Sequence, residues 1–312
     1  MKIIMMGSGP FAVPTFRLLA QQKKHEVILL ISQPHREIKG RLQPDSPTVT
    51  AAKELGIPVW LPDKVNNHIE QLRSYEADLL VVCDYGQILS PDALGSAVHG
   101  GLNLHGSLLP KYRGAAPINW AILQGETRLG VTVIHLTPQL DAGPIVAQAS
   151  LELGECETAE EVEPRLAQLG APLTLKVVDD LESGQFISEI QIEGAATRAP
   201  KLKKTDGKID WNASAVQIRR QYQALQPWPG THFIWVRNGK ELRLMPCSVP
   251  EIASSDAVSA APGTVLDVSE KLIIQTGDGA IALSKIQPAG KNEMDIKSFA
   301  MGYQIKPGNR ME

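Results

Sequence analysis

The sequence predicts an α/β protein made of two parts. The first is a mostly parallel, Rossmann-like sheet with helices on both faces, and the second is a small, OB-like β-barrel. Three observations predict this: strand-like and helix-like segments alternate over the first 150 residues, the composition changes near Gly194, and short β-like segments separated by turns follow. We expect a first domain over residues 1–188, a linker over 189–206 and a second domain over 207–312.

Short apolar runs bounded by Gly, Pro, Asp or His indicate the strands of the first part. These predicted strands are Lys2–Met6, Glu26–Ile31, Ile57–Trp60, Ala77–Cys83, Gly101–Leu104, Gly130–Leu136 and Ile145–Gln148. The helix-like stretches between them are Pro10–Gln22, Pro47–Leu55, Asn66–Tyr75 and Ala115–Gln124. Because strands that alternate with helices are usually joined by crossovers, this order favours a parallel sheet.

Glu157–Leu181 predicts a long helix that closes the first part. Its apolar residues would form the buried side: Leu166, Leu169, Leu173, Leu175, Val177, Val178 and Leu181. Pro164 and Pro172 lie within this stretch, and a proline inside a helix removes a backbone hydrogen bond. One straight helix is therefore not expected here.

The second part begins after a stretch poor in apolar residues, Gly194–Gly207, which we interpret as a linker. Ala215–Leu225 is a helix candidate. The β-like segments are Phe233–Val236, Leu242–Met245, Gly263–Leu266, Lys271–Thr276 and Ile281–Ile286. Turn sequences such as Asn238-Gly239 separate some of them, which favours a small barrel.

The composition excludes several classes of protein. The 312 residues are 43% hydrophobic, which is too apolar for a disordered chain, and no apolar run approaches the ~20 residues of a membrane span. The apolar run at the N-terminus is too short for a signal peptide, so we expect a cytoplasmic protein without membrane association. The three cysteines are too widely spaced to indicate a disulfide framework or a zinc site.

The charges are divided unevenly between the two parts. Residues 1–200 carry 16 basic and 23 acidic groups, whereas residues 201–312 carry 15 basic and 11 acidic groups. The second part is therefore the better candidate for binding an anionic polymer such as a nucleic acid. A basic surface that only increases solubility explains the same excess.

A glycine loop follows the first strand and opens a helix. Gly7-Ser8-Gly9-Pro10-Phe11-Ala12 matches the G-x-G-x-x-A variant of the dinucleotide fingerprint. A nicotinamide site also needs an acidic residue after the second strand, and Ile31-Ser32-Gln33-Pro34 offers none. The loop is then either a site for a polar part of another substrate or simply a tight turn.

The residues richest in chemistry are Asn103 and His105, at the end of a predicted strand. Alternate side chains of a strand share a face, so these two point the same way at the edge where open α/β sheets bind ligands. Asp141 follows the next strand and brings a carboxylate to that edge. An amide, an imidazole and a carboxylate can stabilise an oxyanion, move a proton and orient the imidazole.

A covalent nucleophile and a metal are both disfavoured. Ser107 lacks the G-x-S-x-G elbow, so direct attack by a nucleophilic substrate is preferred over an acyl-enzyme. The sequence has no H-x-x-x-H or H-E-x-x-H spacing, and one histidine with one aspartate provides too few ligands for a dedicated zinc site. We therefore expect no metal.

At these residues the sequence resembles the 10-formyltetrahydrofolate-dependent formyltransferases. Asn103, His105 and Asp141 match the catalytic triplet of that family, and residues 107–117 match its folate-contacting loop and the helix behind it. Gln287-Pro288-Ala289-Gly290-Lys291 and Pro307-Gly308-Asn309-Arg310 resemble the C-terminal domain of the members that formylate tRNA. The resemblance covers nearly the whole chain.

The resemblance implies transfer of the formyl group of 10-formyltetrahydrofolate, a cosubstrate, to the α-amino group of methionyl initiator tRNA. Asn103, His105 and Asp141 would be catalytic. The residues that would bind the folate lie on three segments: Tyr85, Gln87, Ile88 and Leu89; Ser107, Leu108, Leu109 and Pro110; and Leu136, Thr137 and Gln139. Leu136–Leu140 departs from the usual Met-Asp-x-Gly-Leu of the family.

The tRNA would be bound by residues of both parts. The candidates are Gly9 and Phe11 for the methionine, Arg36, Lys39 and Arg41 in an insertion loop for the acceptor end, and Lys203, Lys204, Lys208, Arg219 and Arg220 for phosphates. We expect a monomer. Two alternatives remain open at this point: a formyltransferase that acts on an amino-sugar nucleotide, and a tRNA-binding protein without catalytic activity.

Overall fold

A computed structural model describes residues 1–35, 37–38, 41–253 and 260–312, with only the backbone described for Ile38 and Arg41. The chain divides into two compact units. Unit 1 comprises Met1–Ile118, Arg128–Leu153 and Glu161–Lys201, and unit 2 comprises Asn119–Thr127, Gly154–Glu160 and Leu202–Glu312.

The first 200 residues contain eleven strands and six helices among the described residues. In chain order the elements are β1 (Lys2–Met6), α1 (Val13–Ala20), β2 (Glu26–Ile31), β3 (Glu37–Ile38), β4 (Arg41–Leu42), α2 (Pro47–Leu55), β5 (Val59–Trp60), α3 (Ile69–Arg73), β6 (Leu79–Val82), α4 (Pro91–Leu94), β7 (Gly101–His105), β8 (Arg113–Gly114), α5 (Pro117–Leu123), β9 (Arg128–His135), β10 (Ile145–Glu152), α6 (Ala159–Glu182) and β11 (Arg198–Ala199).

Seven of these strands form one sheet in the order β10-β9-β7-β6-β1-β2-β5. The strands from β5 to β7 in this order pair in parallel, and β9 and β10 are antiparallel, which confirms the predicted mostly parallel sheet. The chain runs outward from β1 to β2 and β5, and then crosses to β6 and β7 on the other side. The strand order therefore reverses between β1 and β6, which is where open α/β sheets form a crevice at their carboxyl edge.

Burial of continuous apolar strands holds this sheet together. The described strands β1 and β6 are almost wholly buried, as expected where helices cover both faces of a parallel sheet. One side of the core joins Ile4, Leu29 and Leu80 to the buried Leu72 of α3. The sheet edge that carries the candidate site is thus fixed by the most buried part of unit 1.

Helix α6 confirms the long helix predicted over Glu157–Leu181 and continues through both prolines. Val162, Leu166 and Val178 are fully buried on one side of the helix. Burying side chains of this size stabilises the fold by roughly 1.5–3 kcal/mol each, whereas a proline inside a helix costs about 3 kcal/mol. Packing therefore outweighs the lost backbone hydrogen bonds.

The second unit consists mainly of antiparallel strands between two helices. Its elements from residue 202 onward are α7 (Ala215–Leu225), β12 (Phe233–Arg237), β13 (Lys240–Pro246), β14 (Glu251–Ala253), β15 (Val265–Asp267), β16 (Leu272–Gln275), β17 (Ala280–Leu283), β18 (Lys285–Pro288), β19 (Met294–Asp295) and α8 (Ile296–Tyr303).

These strands form two sheets, in the orders β12-β13-β18-β19 and β14-β17-β16-β15. One core lies between them, in which the rings of Trp211 and Phe233 pack edge to face with their centroids 5.2 Å apart. Isolated bridges join Trp235 to Met311 and Thr264 to Arg310. The two sheets agree with the predicted OB-like architecture, although the described strands do not close a continuous barrel.

Several elements of unit 2 differ from the sequence prediction, and strands β14 and β19 are among those not predicted. The predicted strand Ile281–Ile286 is two strands, β17 and β18, which belong to different sheets and are separated only by Ser284. Helix α8 was not predicted, although the Asp295 side chain caps it by accepting a hydrogen bond from the Ser298 N–H at 2.7 Å. Within the described ranges, no helix is long and apolar enough to cross a membrane.

Candidate active site

The candidate site lies at the carboxyl edge of β7, next to the end of β6. Asn103 pairs with Val82 of β6 on one side and with Ile134 of β9 on the other. His105 is the last residue of β7 and is buried, with 6% of its surface exposed. The two side chains project to the same side of the strand because they are two residues apart.

The carboxylate of Asp141 lies beside both side chains. Its Oδ1 is 3.5 Å from Nδ2 of Asn103, and its Oδ2 is 3.7 Å from Nδ1 of His105. The Gly114 N–H donates a hydrogen bond to Oδ2 at 2.9 Å. The structure thus brings together the three residues that the sequence singled out, with Asp141 only 8% exposed.

The hydrogen bonding of His105 determines where its ring carries a proton. Nε2 lies 2.9 Å from the carbonyl oxygen of Tyr112. Because a carbonyl oxygen only accepts, Nε2 carries the hydrogen, and Nδ1 is the nitrogen that faces Asp141. The Tyr112 carbonyl therefore orients the ring and places Nδ1 beside the Asp141 carboxylate.

The turn that presents Asp141 is held by Gln191, a residue that the sequence did not single out. Asp141 has φ 51°, in the left-handed region that few side chains other than Asn and Asp tolerate. Nε2 of Gln191 donates to the carbonyl oxygens of Asp141 at 2.8 Å and Gly143 at 2.7 Å. Its Oε1 accepts from Nε of Arg113 at 3.0 Å and from Nη2 at 2.9 Å. The partners in all four hydrogen bonds of this buried amide are distant from Gln191 in the sequence.

The segment Ser107–Pro110 is fixed by Thr132 and Gln148. The Thr132 hydroxyl donates to the carbonyl of Ser107 at 2.6 Å and accepts from the N–H of Leu109 at 3.1 Å. Nε2 of Gln148 donates to the Leu109 carbonyl and to the Thr132 hydroxyl, both at 2.9 Å. These bonds use the donor and both acceptor sites of the hydroxyl, so the loop beside His105 is rigid.

The other segments predicted to contact folate follow β6, which ends at the same edge as β7, and β9, which is antiparallel and ends beside the start of β7. Tyr85 is 2% exposed, burial raises its pKa well above the ordinary value, and its hydroxyl has no hydrogen-bond partner among the described residues. The Gln87 side chain accepts from the Val65 N–H at 3.0 Å, and Leu89 is buried. Ile88 is 59% exposed.

After β9, Leu136 donates its N–H to the Gly101 carbonyl at 2.7 Å, and its side chain packs against the core of unit 1. The Thr137 hydroxyl donates to the Gln139 carbonyl at 3.3 Å. This segment therefore leads from the end of β9, beside the first residue of β7, into the turn of Asp141.

The glycine loop at the end of β1 contacts the end of β6. The Ser8 N–H donates to the carbonyl of Asp84 at 3.0 Å, and the Gly9 N–H does so at 3.4 Å. Phe11 is 7% exposed and lies in the short 3-10 turn Pro10–Ala12 that precedes α1. Asp84 was not among the predicted site residues, although an acidic residue directly after a buried strand was a visible signal.

The structure describes only some of the residues predicted to contact tRNA. Arg36 and Lys39 lie outside the described residues, as does the side chain of Arg41. Among those in unit 2, Lys203, Lys204 and Lys208 are exposed.

The two arginines of helix α7 are half-buried within unit 2. Nη2 of Arg219 donates to the Glu155 carbonyl at 2.5 Å and lies 3.3 Å from its carboxylate. The Arg220 guanidinium occupies the space beside Gly125, since a Cβ built there would lie 2.2 Å from its central carbon. The lysines are therefore more available to phosphates than the arginines.

One group of potential metal ligands lies away from this edge. His25, Asp179 and Glu182 have ligand atoms within 4.8 Å of one another. Nζ of Lys24 lies 2.7 Å from Asp179 and 3.0 Å from Glu182, and the N-terminal amine lies 3.2 Å from Glu182. These amines already supply positive charge to the carboxylates, so the group is explained as an ion-pair network.

Comparisons with protein families match both parts of the chain. Residues 1–178 match the formyl transferase family, and residues 201–304 match the formyl transferase C-terminal domain. Proteins named methionyl-tRNA formyltransferase are similar over essentially the whole length. That of Rhodopirellula baltica is 40% identical over 100% of this chain and 96% of its own length, and that of Solibacter usitatus is 38% identical over 100% and 98%.

Solved structures share the fold at low sequence identity. An N-formyltransferase from Helicobacter canadensis, in complex with folinic acid and dTDP-3-aminofucose, has a TM-score of 0.65 at 16% identity and covers 91% of this chain and 99% of that chain. HypX from Aquifex aeolicus in complex with tetrahydrofolic acid has a TM-score of 0.61 at 18% identity and covers 97% of this chain and 47% of that chain. At these identities the likeness concerns the fold.

Proposed function

The chain belongs to the formyl transferase family, and from this premise we propose that it transfers the formyl group of 10-formyltetrahydrofolate to the α-amino group of methionyl initiator tRNA. One observation carries the proposal. The Asp141 carboxylate lies 3.5 Å from Nδ2 of Asn103 and 3.7 Å from Nδ1 of His105, so the three side chains meet at one sheet edge. The products are formyl-methionyl-tRNA, which serves translation initiation, and tetrahydrofolate.

Asn103 and His105 stabilise the charge that develops during transfer. When bound, 10-formyltetrahydrofolate supplies the carbonyl carbon that the amine attacks. The Asn103 amide donates a hydrogen bond to the oxygen on which negative charge develops, and His105 adds to this stabilisation when its ring is protonated. No serine or cysteine nucleophile is needed, because the amine of the substrate attacks directly.

Asp141 acts on the other two residues. Its carboxylate lies 3.7 Å from Nδ1 of His105 and holds the ring in position. Its Oδ1 accepts from Asn103, which fixes the direction of the amide. It also offers an acceptor for the proton that the amine loses, directly or through water. Burial of both Asp141 and His105 strengthens these interactions, because water does not screen them.

The donor is proposed to bind along Tyr85–Leu89, Ser107–Pro110 and Leu136–Gln139. A pterin is flat and carries several hydrogen-bonding groups, so it suits a site with apolar walls and backbone donors and acceptors. The orphaned hydroxyl of Tyr85 fits this assignment, because a buried polar group without a partner costs free energy that a ligand can offset. The rigid loop at Ser107 would keep the donor in place beside His105.

The acceptor is proposed to bind through both domains, with boundaries at residues 1–188, 189–206 and 207–312. Gly9 and Phe11 would receive the methionine, and the insertion loop with Arg36, Lys39 and Arg41 would reach the acceptor end. Lys203, Lys204, Lys208, Arg219 and Arg220 are the proposed phosphate contacts, among which the exposed lysines contribute most. A monomer in the cytoplasm, where initiator tRNA is charged, suffices for this chemistry.

A competition assay tests the proposal. The full chain is incubated with 10-formyltetrahydrofolate, methionyl initiator tRNA and an amino-sugar nucleotide, and each formylated product is quantified. We expect formyl-methionyl-tRNA and no formylated sugar. Formylation of the sugar alone would replace the proposal by the amino-sugar alternative, and formation of neither product, with tRNA bound, would indicate a binding protein.

A further inference from the structure

An acidic side chain lies in the crevice between the glycine loop and the candidate catalytic edge. The strand order reverses between β1 and β6, so the crevice opens between the residues that follow these two strands. Asp84 follows β6, directly before the segment Tyr85–Leu89 proposed to bind the donor. Val82 of β6 pairs with Asn103 of β7. Asp84 and His105 each come two residues later in the chain, so they occupy corresponding positions at the sheet edge.

The carboxylate of Asp84 occupies a space that exists because residue 9 is a glycine. A Cβ built on Gly9 would lie 1.6 Å from Oδ2 of Asp84. The backbone of Asp84 is fixed as well, because its carbonyl accepts hydrogen bonds from Ser8 and Gly9. Its φ of 48° is in the left-handed region, which aspartate tolerates better than most residues. The loop proposed to receive the acceptor and this carboxylate are therefore in direct contact.

The electrostatic environment of Asp84 favours a cation. Its carboxylate has no hydrogen bond or ion pair with any residue that the structure describes, and the residue remains open to solvent. The protein atoms around the carboxyl group, and then the negative charge of Glu163, raise its pKa to about 6. Burial also raises the pKa of Glu163. A positively charged group placed here would relieve both effects.

The proposed acceptor carries such a group at the reacting atom. The α-amino group of an amino acid in a peptide has an ordinary pKa of about 7.7–8.0, so at pH 7 it is mostly an ammonium ion with three N–H donors. The amine must lie between its own side chain, near Gly9, and the formyl donor. Asp84 is located between these two sites along the sheet edge.

We propose that Asp84 binds the α-ammonium group of the methionyl ester and so positions its nitrogen. The ammonium loses one proton to Asp141 or to water before the nitrogen attacks, and Asp84 then accepts a hydrogen bond from the neutral amine. This inference rests on the proposed function, whose substrate it explains further. Asp84 binds the positively charged group of the acceptor, while Asn103, His105 and Asp141 act on the formyl group. A neutral or anionic group at the same position of a ligand would lose this interaction.

A pair of matched tRNA esters tests the inference at pH 7. The first is methionyl-tRNA, and the second is the same tRNA esterified with 2-hydroxy-4-(methylthio)butanoate, in which a hydroxyl replaces the amine. A hydrogen bond between charged groups corresponds to roughly 10- to 100-fold in affinity. The wild-type chain should bind the hydroxy ester about tenfold or more weakly, and Asp84→Asn should bind both esters equally.

Kinetics and a matched control complete the test. Asp84→Asn should lower kcat/KM for methionyl-tRNA by about tenfold or more. Asp92→Asn removes the same charge from an exposed position in α4 and should match the wild type. Equal binding of the two esters by the wild type would overturn the inference, whether or not the variant folds. Wild-type kinetics in Asp84→Asn would also overturn it. Absence of formyl-methionyl-tRNA with the wild type would refute the proposed function instead.

Discussion

Replacement of Gln191 by leucine should lower the rate of formyl transfer without removing any residue proposed to touch a substrate. Gln191 is 7% exposed and its amide makes four hydrogen bonds, two to the carbonyls of the Asp141 turn and two from Arg113. Leucine has a similar volume but makes none of these bonds. The left-handed turn at Asp141 would then lose its main support.

The expected size of the effect follows from those four bonds. A typical hydrogen bond contributes about 1 kcal/mol net, so their loss costs up to roughly 4 kcal/mol, less what the buried leucine recovers. We expect Gln191→Leu to lose about 2–3 kcal/mol of local stability. Because each 1.36 kcal/mol changes a rate tenfold, displacement of Asp141 should lower the single-turnover rate by about tenfold or more.

The assay measures single-turnover formylation of methionyl-tRNA, with tRNA affinity determined in parallel. The matched control is Gln185→Leu, which makes the same change at an exposed position of unit 1. Gln191→Leu should be slow with an unchanged tRNA affinity, whereas Gln185→Leu should behave as the wild type. A full rate in Gln191→Leu would refute the reasoning, because the turn would then hold Asp141 without the amide.

Three further predictions concern charge and backbone. The pKa of Asp84 is about 6 in the folded chain against an ordinary value of 3.8, so folding favours the protonated carboxyl group. This contribution to the free energy of unfolding is complete below about pH 4 and is lost as the pH rises through 6. Asp84→Asn should therefore raise the Tm at pH 7.5 and leave it nearly unchanged at pH 4; the same increase at both values would contradict the shift. Replacing Lys203 and Lys204 by glutamine should reduce the slope of log affinity for tRNA against log salt by about 0.7–0.9 per lost phosphate contact, and an unchanged slope would show that these lysines only solubilise the surface. Gly114→Ala should lower both the Tm and the formylation rate, because Gly114 has φ 133° and a Cβ would lie 2.4 Å from the Ala199 carbonyl oxygen; a wild-type Tm would show that the chain avoids this clash.

Regular segments with a clear period were predicted well from the sequence. The predicted bounds of β1, β2, α2 and α7 agree with the structure, because each has a buried apolar pattern with a clear start or end signal. Ser46, for example, accepts a hydrogen bond from Val49 at the start of α2, and Gly56 ends the helix with φ 68°.

Segments whose limits depend on distant partners were predicted less well. The apolar run of β17 and β18 has no internal turn signal, and only pairing with different neighbours divides it at Ser284. Two prolines argued against one straight helix at α6, but burial of its apolar side keeps the predicted long helix continuous. Local propensity was overridden by packing in both cases.

The residues of the candidate site also differ in how well the sequence predicted them. Asn103 and His105 could be placed together because alternation along one strand brings them to one face. Asp141 was expected at the same edge, but β9 is antiparallel and ends beside the start of β7, so the turn after β9 brings Asp141 back to the site. Gln191 could not be found, since it lies in a segment interpreted as a linker and reaches Asp141 only through tertiary folding. The catalytic roles of the triplet stay predictions.

Single-turnover formylation of methionyl-tRNA by the wild type and by Asn103→Ala, His105→Ala, Asp141→Ala and the triple variant tests the central claim most directly. Each single variant should lose about 100-fold or more in rate, because each residue acts on the transition state. The triple variant should be far less impaired than the product of the three losses, because the residues act as one unit. A triple variant that forms formyl-methionyl-tRNA at nearly the wild-type rate would contradict the account.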